Sequence, residues 1–281
     1  MHTIQTTLPR GIYSGATCYR AAVLRPLTGR QEAMISARPP DARAVSHILA
    51  DRLVRVGGVE ELSARRILLM TRGDRAHMLL CLRAAVLGDD LRLTLTCPNP
   101  TCRTPIPIAL SINALCTVSA TIAQAQIRIK TPSGVALIRE PTGEDDAILE
   151  EAVADRDALL WSRLLLRLGD RSGLLAADWR ALPAGVRHAI ALGLARHHRG
   201  PLLSGSVQCS ACAAWQEWRI DPAALLSAEM RAGASRIVDE IHALAWHYHW
   251  SEESILDMPR QRRWRYLKLL TETMTQECRK P

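Results

Sequence analysis

Two periodicities run through the chain. Leu91, Leu93 and Leu95 alternate with polar residues, as do Ile106, Ile108 and Leu110, and again Ile127, Ile129, Val135 and Leu137. A period of two predicts strands with one buried face, and Pro132-Ser133-Gly134 supplies a hairpin turn between the last two pairs. Helical spacing takes over elsewhere. Val45, Ile48, Leu49, Leu53 and Val56 predict a helix over 41–56, and a second follows over 74–87 with Asp74 as its cap. Residues 146–168 read as helical with a break near Arg156-Asp157, and 184–198 as a helix ended by Gly200-Pro201. Thr28 and Thr142 are expected helix N-caps, each answered three residues on by Gln31 or Asp145.

The two sets of elements resemble each other. An offset of 112 places Cys97 on Cys209, Gly73 on Gly185, Arg75 on Arg187, Leu80 on Leu192, Leu82 on Leu194 and Leu95 on Val207. An offset of 114 places Leu24-Arg25-Pro26-Leu27-Thr28-Gly29 on Ile138-Arg139-Glu140-Pro141-Thr142-Gly143. The common order predicts an internally duplicated α+β fold in which each half is a β-hairpin, helices and a second hairpin carrying a cysteine pair. The expected divisions are 1–117, 118–234 and a C-terminal helical module over 235–281, with the halves related by a pseudo-twofold axis.

Of the eight cysteines, Cys18, Cys81, Cys116 and Cys278 stand singly, and Cys81 in Met78-Leu79-Leu80-Cys81-Leu82 reads as a small core residue. The others form Cys97-Pro-Asn-Pro-Thr-Cys102 and Cys209-Ser-Ala-Cys212. Such spacings put two thiolates on one side of a tight turn, half of a tetrahedral zinc site. The pairs lie too far apart for one compact ribbon, so the expected site is a structural Zn(II) held jointly by Cys97, Cys102, Cys209 and Cys212, with loop-closure entropy favouring the cross-link. The alternatives are a vestigial or disulfide-prone pair and, for Cys209-Ser-Ala-Cys212, a redox motif, which lacks the strand and long helix such motifs accompany.

The chain has 281 residues, 48% hydrophobic and 23% charged, enough to bury a core without disulfides. Its net charge of +8 comes almost wholly from arginine, Lys130, Lys268 and Lys280 being the lysines. That excess is spread over the chain and does not by itself specify a partner. The N-terminus lacks a basic start followed by an apolar run, and the apolar stretch 158–168 is broken by Arg163 and Arg167. A cytoplasmic location is therefore expected, with reduced cysteines. No phosphate-binding glycine loop, nucleophile elbow or paired-histidine hydrolase motif stands out, and Gly73-Asp74-Arg75 and His197-His198 are explained by helix ends.

Beyond 235, Ile237, Ile241, Leu244 and Tyr248 share a helical face, and Pro259 opens a last helix carrying Arg260, Arg262, Arg263 and Arg265 beside Trp264. Trp250, Arg260, Arg263 and Trp264 are candidate partner-binding residues. The arginines suit either an acidic protein surface or nucleic-acid phosphates, so a zinc-ribbon nucleic-acid-binding protein is the alternative reading. His242, His247 and His249 read as half-buried histidines beside aromatics rather than metal ligands.

The order of Leu24-Arg25-Pro26-Leu27-Thr28-Gly29, Thr71-Arg72-Gly73-Asp74-Arg75, Leu79-Leu80-Cys81-Leu82-Arg83, Gly88-Asp89 and the Cys97 pair resembles the baseplate hub assembly family of T-even-type contractile phage tails. Related members accompany phage-tail-like contractile injection systems. The resemblance covers roughly residues 1–230. The tail Ala245-Trp246-His247-Tyr248-His249-Trp250-Ser251, with Ile255-Leu256 and the arginine-rich helix, is similar to a small helical module encoded beside the same injection-system genes. The resemblance implies a non-enzymatic assembly chaperone or minor particle component. Its implied partners are baseplate, hub or spike proteins; neither a membrane nor a small-molecule substrate is expected, and nucleic acid belongs to the alternative reading alone.

Overall fold

A computed structural model describes residues 3–117 and 126–277. The chain begins β1 (Ile4–Ser14), β2 (Thr17–Leu24), α1 (Gly29–Ala37), α2 (Ala42–Arg52), β3 (Leu53–Val56), α3 (Ala64–Leu68), α4 (Arg72–Leu87), β4 (Asp90–Thr96), β5 (Pro105–Ser111) and α5 (Ile112–Leu115). It continues β6 (Ile127–Thr131), β7 (Gly134–Ile138), α6 (Gly143–Glu151), α7 (Arg156–Leu164), β8 (Leu165–Leu168), β9 (Arg171–Ser172), α8 (Ala176–Ala181), α9 (Ala184–His197), β10 (Ser204–Gln208), β11 (Trp215–Arg219) and α10 (Pro222–Ala232). Three helices follow, α11 (Ala234–Tyr248), α12 (Glu252–Leu256) and α13 (Arg260–Glu277). The fold is α+β with small antiparallel sheets, and β9 aside, the second run of elements has the order of the first.

The likeness extends to register. β2 pairs with β3 through Ala22↔Val56 and Val23↔Arg55, then slips to Leu24↔Leu53. β7 pairs with β8 through Ala136↔Leu168 and Leu137↔Arg167, then slips to Ile138↔Leu165. Below each slip one backbone bond ties strand to helix end, Arg25 N–H to Arg52 O at 2.7 Å and Arg139 N–H to Leu164 O at 3.0 Å. The inward residues Ala22, Leu24, Val56, Ala136, Ile138 and Leu168 are all buried. Each sheet packs on its own helices, one core gathering Leu24, Leu49, Ile67 and Met78 and the other Ile138, Ala158, Trp179 and Ile190.

Several boundaries differ from the sequence expectation. The helix expected over 41–56 stops at Arg52, and Leu53-Val54-Arg55-Val56 leaves as β3; Leu165-Leu166-Arg167-Leu168 does the same as β8. In both, apolar–x–x–apolar spacing satisfies a helical and an extended reading, and pairing with the preceding hairpin decides it. The second-half break falls over 152–155, where Asp155 adopts a left-handed conformation and caps α7. α4 is capped by Thr71, not Asp74, whose carboxylate is fully buried and accepts the Thr71 hydroxyl and the backbone N–H groups of Arg10 and Gly11. Burial pushes Asp74 above the usual carboxylate range, these donors opposing it. The expected caps at Thr28 and Thr142 form, with Gln31 Oε1 accepting Thr28 N–H at 3.0 Å and Asp145 Oδ2 accepting Thr142 N–H at 2.8 Å.

Each of these caps is the point where one part of the molecule docks on another. Thr142 bridges Thr71, with Gly143 N–H donating to Met70 O at 3.2 Å and Arg72 N–H to Pro141 O at 2.8 Å. A Cβ on Gly143 would overlap the Arg75 guanidinium. That guanidinium is buried and donates to Ser46 Oγ at 2.6 Å and Ala42 O at 2.7 Å; burial pushes its pKa down to about 10. Thr28 bridges Pro259 instead, and Gly29 lies against Arg263. A strict twofold would pair Thr28 with Pro183, the counterpart of Thr71. The C-terminal helices take that place, so these contacts are not reciprocal.

Candidate metal centre

The expected cysteines meet at the tips of two hairpins. β4 and β5 pair from Asp90↔Ser111 to Thr96↔Pro105, leaving 97–104 as the turn. Cys97 N–H donates to Thr104 O at 3.0 Å, and Asn99 O accepts the N–H groups of Cys102 at 3.0 Å and Arg103 at 3.1 Å, curling the second cysteine back toward the first. β10 and β11 pair from Ser204↔Arg219 to Gln208↔Trp215. There Cys209 N–H donates to Ala214 O and Ala213 N–H to Cys209 O, both at 2.9 Å. The residue after the second cysteine of each pair, Arg103 or Ala213, is left-handed at φ of 50° or 58°. Such a conformation costs a non-glycine residue about 1–2 kcal/mol, so the surroundings of both turns must hold it.

The four sulfurs of Cys97, Cys102, Cys209 and Cys212 all lie within 4.8 Å of one another. Cys97 Sγ is 3.4 Å from Cys212 Sγ, and Cys102 Sγ is 3.9 Å from Cys209 Sγ, both contacts running between the two hairpins. The cysteines are free thiols; a disulfide would need about 2.05 Å. Cys97 and Cys209 are buried on Ile106, with Leu95, Val207 and Ala214 closing the apolar surround. Behind them Leu91, Ile112, Leu115, Trp218 and Ile220 form one core between the hairpins. Each hairpin is a two-stranded sheet bonded to no other described strand, an element only marginally stable alone. The sulfur cluster sits where cross-linking helps most.

Its electrostatics suit a cation. Burial, with the adjoining sulfurs, pushes the Cys97 thiol up to about 12. The Thr104 hydroxyl and N–H hold Cys102 down to about 6, and N–H groups of Ala211 and Cys212 lower Cys209. Anionic sulfurs this close repel one another, and a cation at their centre converts that repulsion to attraction. The donor set is sulfur alone, favouring a thiophilic metal over a hard, oxygen-seeking one. The cluster can therefore hold a metal ion.

The candidate partner-binding residues fare differently. Arg263 is fully buried, donating to Glu240 Oε2 at 2.8 Å, Glu32 Oε1 at 3.1 Å and Met258 O at 2.7 Å. It is an internal tie between α1, α11 and α13 and not part of a solvated arginine face. Arg260 beside it is half-buried. Trp250 stacks on Tyr248 with ring centroids 4.6 Å apart and meets Tyr266 edge-on, whereas Trp264 is 61% exposed. Trp246, not singled out in the sequence, is exposed too. His242, His247 and His249 are exposed rather than half-buried. A second polar cluster has no local sequence signal: His77 Nε2 lies 2.7 Å from Thr6 Oγ1, which Cys81 Sγ approaches at 3.7 Å. Contact with Cys116 and His77 lowers the Cys81 thiol to about 4 despite burial.

Among the described residues no helix is long and apolar enough to cross a membrane. Comparison of the chain with protein-family models, with curated proteins and with solved structures finds no match.

Proposed function

We propose that this chain is a non-enzymatic assembly factor or minor structural component of the baseplate or hub of a contractile phage tail or contractile injection system, stiffened by one structural zinc ion. The observation that carries the scaffold reading is the cluster of four sulfurs drawn equally from two hairpins more than a hundred residues apart. A tetrahedral zinc with Zn–S bonds of about 2.3 Å requires sulfurs about 3.8 Å apart, and the cross-hairpin separations of 3.4 and 3.9 Å straddle that value. Four thiolates complete the coordination shell and leave no position for water or substrate. The metal then serves folding, not catalysis.

An internal duplication accounts for how the ligands meet. The repeated element order, the shared slip at Leu24↔Leu53 and Ile138↔Leu165, and the paired caps at Thr28 and Thr142 support two copies of one ancestral unit. Each copy contributes a hairpin with two ligands, and the ion joins them. The machine itself is assigned from the resemblance of motif order. Affinity purification of the full chain from cells producing such a machine tests it. Baseplate, hub or spike proteins are the expected companions; recovery of nucleic acid in their place would contradict the assignment and favour the zinc-ribbon alternative.

A further inference from the structure

Three helix pairs in this chain are built alike. Each has a short helix, an apolar residue, one extended residue, and a longer helix bearing an arginine four positions beyond that residue. The sets are α3, Met70, Thr71 and Arg75; α8, Leu182, Pro183 and Arg187; and α12, Met258, Pro259 and Arg263. Two of the three are filled. Thr142-Gly143 seats against the first and Thr28-Gly29 against the third, the glycine N–H donating in each case to the methionine carbonyl at 3.2 Å and its Cα lying under the arginine. Three residues past each glycine an acid meets a socket arginine, Asp146 with Arg72 and Glu32 with Arg263. Both occupants therefore begin Thr-Gly-x-(Gln/Asp)-(Glu/Asp).

Among the described residues the middle socket has no such occupant. Pro183 is exposed and bridges no described residue, whereas Thr71 is buried in its bridge. A Cβ on Gly185 would meet nothing within 4 Å, while one on its counterpart Gly73 would strike Arg199 O. Arg187 remains half-exposed where Arg75 and Arg263 are 5% and 0% exposed, and its buried Nε has no hydrogen-bond partner among the described residues. The sequence contains two Thr-Gly pairs, and both are already seated. Among the described residues no further Thr-Gly helix start is left to fill it.

We propose that the α8–α9 face is a docking socket for a partner protein, entered by a helix whose first turn reads Thr-Gly-x-(Gln/Asp)-(Glu/Asp). The partner glycine N–H would donate to Leu182 O, and its acid would meet Arg187. The order supports this occupant over a surface of different chemistry. The first unit's socket takes the second unit's helix and the C-terminal socket takes the first unit's, a head-to-tail pattern in which only the second unit's socket lacks a giver. This inference does not depend on the metal or on which machine the protein serves.

A peptide of residues 138–152, fluorescently labelled and stapled on its exposed face to hold the helix, is the probe. Titrated with the full chain, it should give a saturable, one-to-one rise in anisotropy. Binding should weaken at least tenfold when Gly143→Val is made in the peptide or Arg187→Ala in the chain. Pro183→Glu, at an exposed position, sets a negative charge against the acidic helix start and should weaken it similarly without altering the melting curve. No binding at millimolar peptide would overturn the proposal. So would binding that survives both chain substitutions, since the peptide would then be exchanging into a filled socket or adhering elsewhere.

Discussion

Two junctions hold the first and second units together, and they are built on opposite principles. At one, Gly143 meets Arg75 and the surrounding charged groups are met by protein: Arg75 on Ser46 and Ala42, Arg72 on Asp146, Glu150 on Ala42 N–H at 3.0 Å. At the other, the joint is made by four sulfurs within 4.8 Å of one another, drawn from two hairpins. The first junction is complete as a protein surface. The second, on the proposal made above, is completed by a metal. If the proposed ion is there, the comparison teaches that two parts of one chain can be joined both by shape and hydrogen bonding and by a metal, and these two joints should fail under different treatments.

The largest expected effect is at the sulfurs. Chelation, or Cys97→Ser, should cost roughly 5 kcal/mol or more, because binding energy of a structural metal is folding energy. Thermal melting with and without chelator reads it, and an unchanged midpoint would mean the hairpins need no cross-link. Next is Gly143→Val, which forces the buried Arg75 out of its site; about 3–5 kcal/mol is expected from stranding a buried charge. The same substitution should leave metal content unchanged, separating the joints. A variant that loses both would show them to be one cooperative structure.

A smaller effect concerns the helix that enters the Arg75 socket. Burial alone would raise Asp145, but Arg139, the Thr142 N–H and Arg163 outweigh it and hold the carboxyl well below its usual range. A lowered folded-state pKa contributes stability that is fully present above about pH 4 and disappears as pH falls through the lowered value. Asp145→Asn should therefore cost about 3 kcal/mol at pH 7, with the gap from the parent chain narrowing below pH 4 in denaturant titrations. A gap independent of pH would rule out the ion pairs as its source. The smallest change is expected at a turn. Ala213→Gly relieves a left-handed residue but loosens the unfolded chain, for a net gain of about 0.5 kcal/mol.

The joints also differ in how far the sequence discloses them. The cysteine cluster is legible because metal ligation needs particular residues at particular spacings, and Cys97/Cys102 and Cys209/Cys212 have no cheaper explanation together. The Arg75 joint is visible only as a repeated Gly-x-Arg, since nothing local distinguishes a guanidinium under a glycine from one in water. Arg263 illustrates the point: among Arg260, Arg262 and Arg265 it reads as surface, yet Glu32 lies 231 residues away and draws it inside. β3 and β8 were hidden for a related reason. Leu53 and Val56, like Leu165 and Leu168, fit the end of a helix until a neighbouring strand offers backbone partners. The hairpins and the capping threonines, whose signals are local, form where the pattern puts them, except that in β7 the buried face carries Ala136 and Ile138, opposite Ile129 and Ile127, rather than Val135 and Leu137.

The central claim is that one ion is shared by both units. Elemental analysis of the purified full chain after expression with zinc in the medium tests it directly, alongside Cys97→Ser and Cys209→Ser. The account predicts one zinc per chain, lost in each variant alone. Zinc retained by either variant, or two ions per chain, would mean that the pairs bind separately and that the metal does not join the halves.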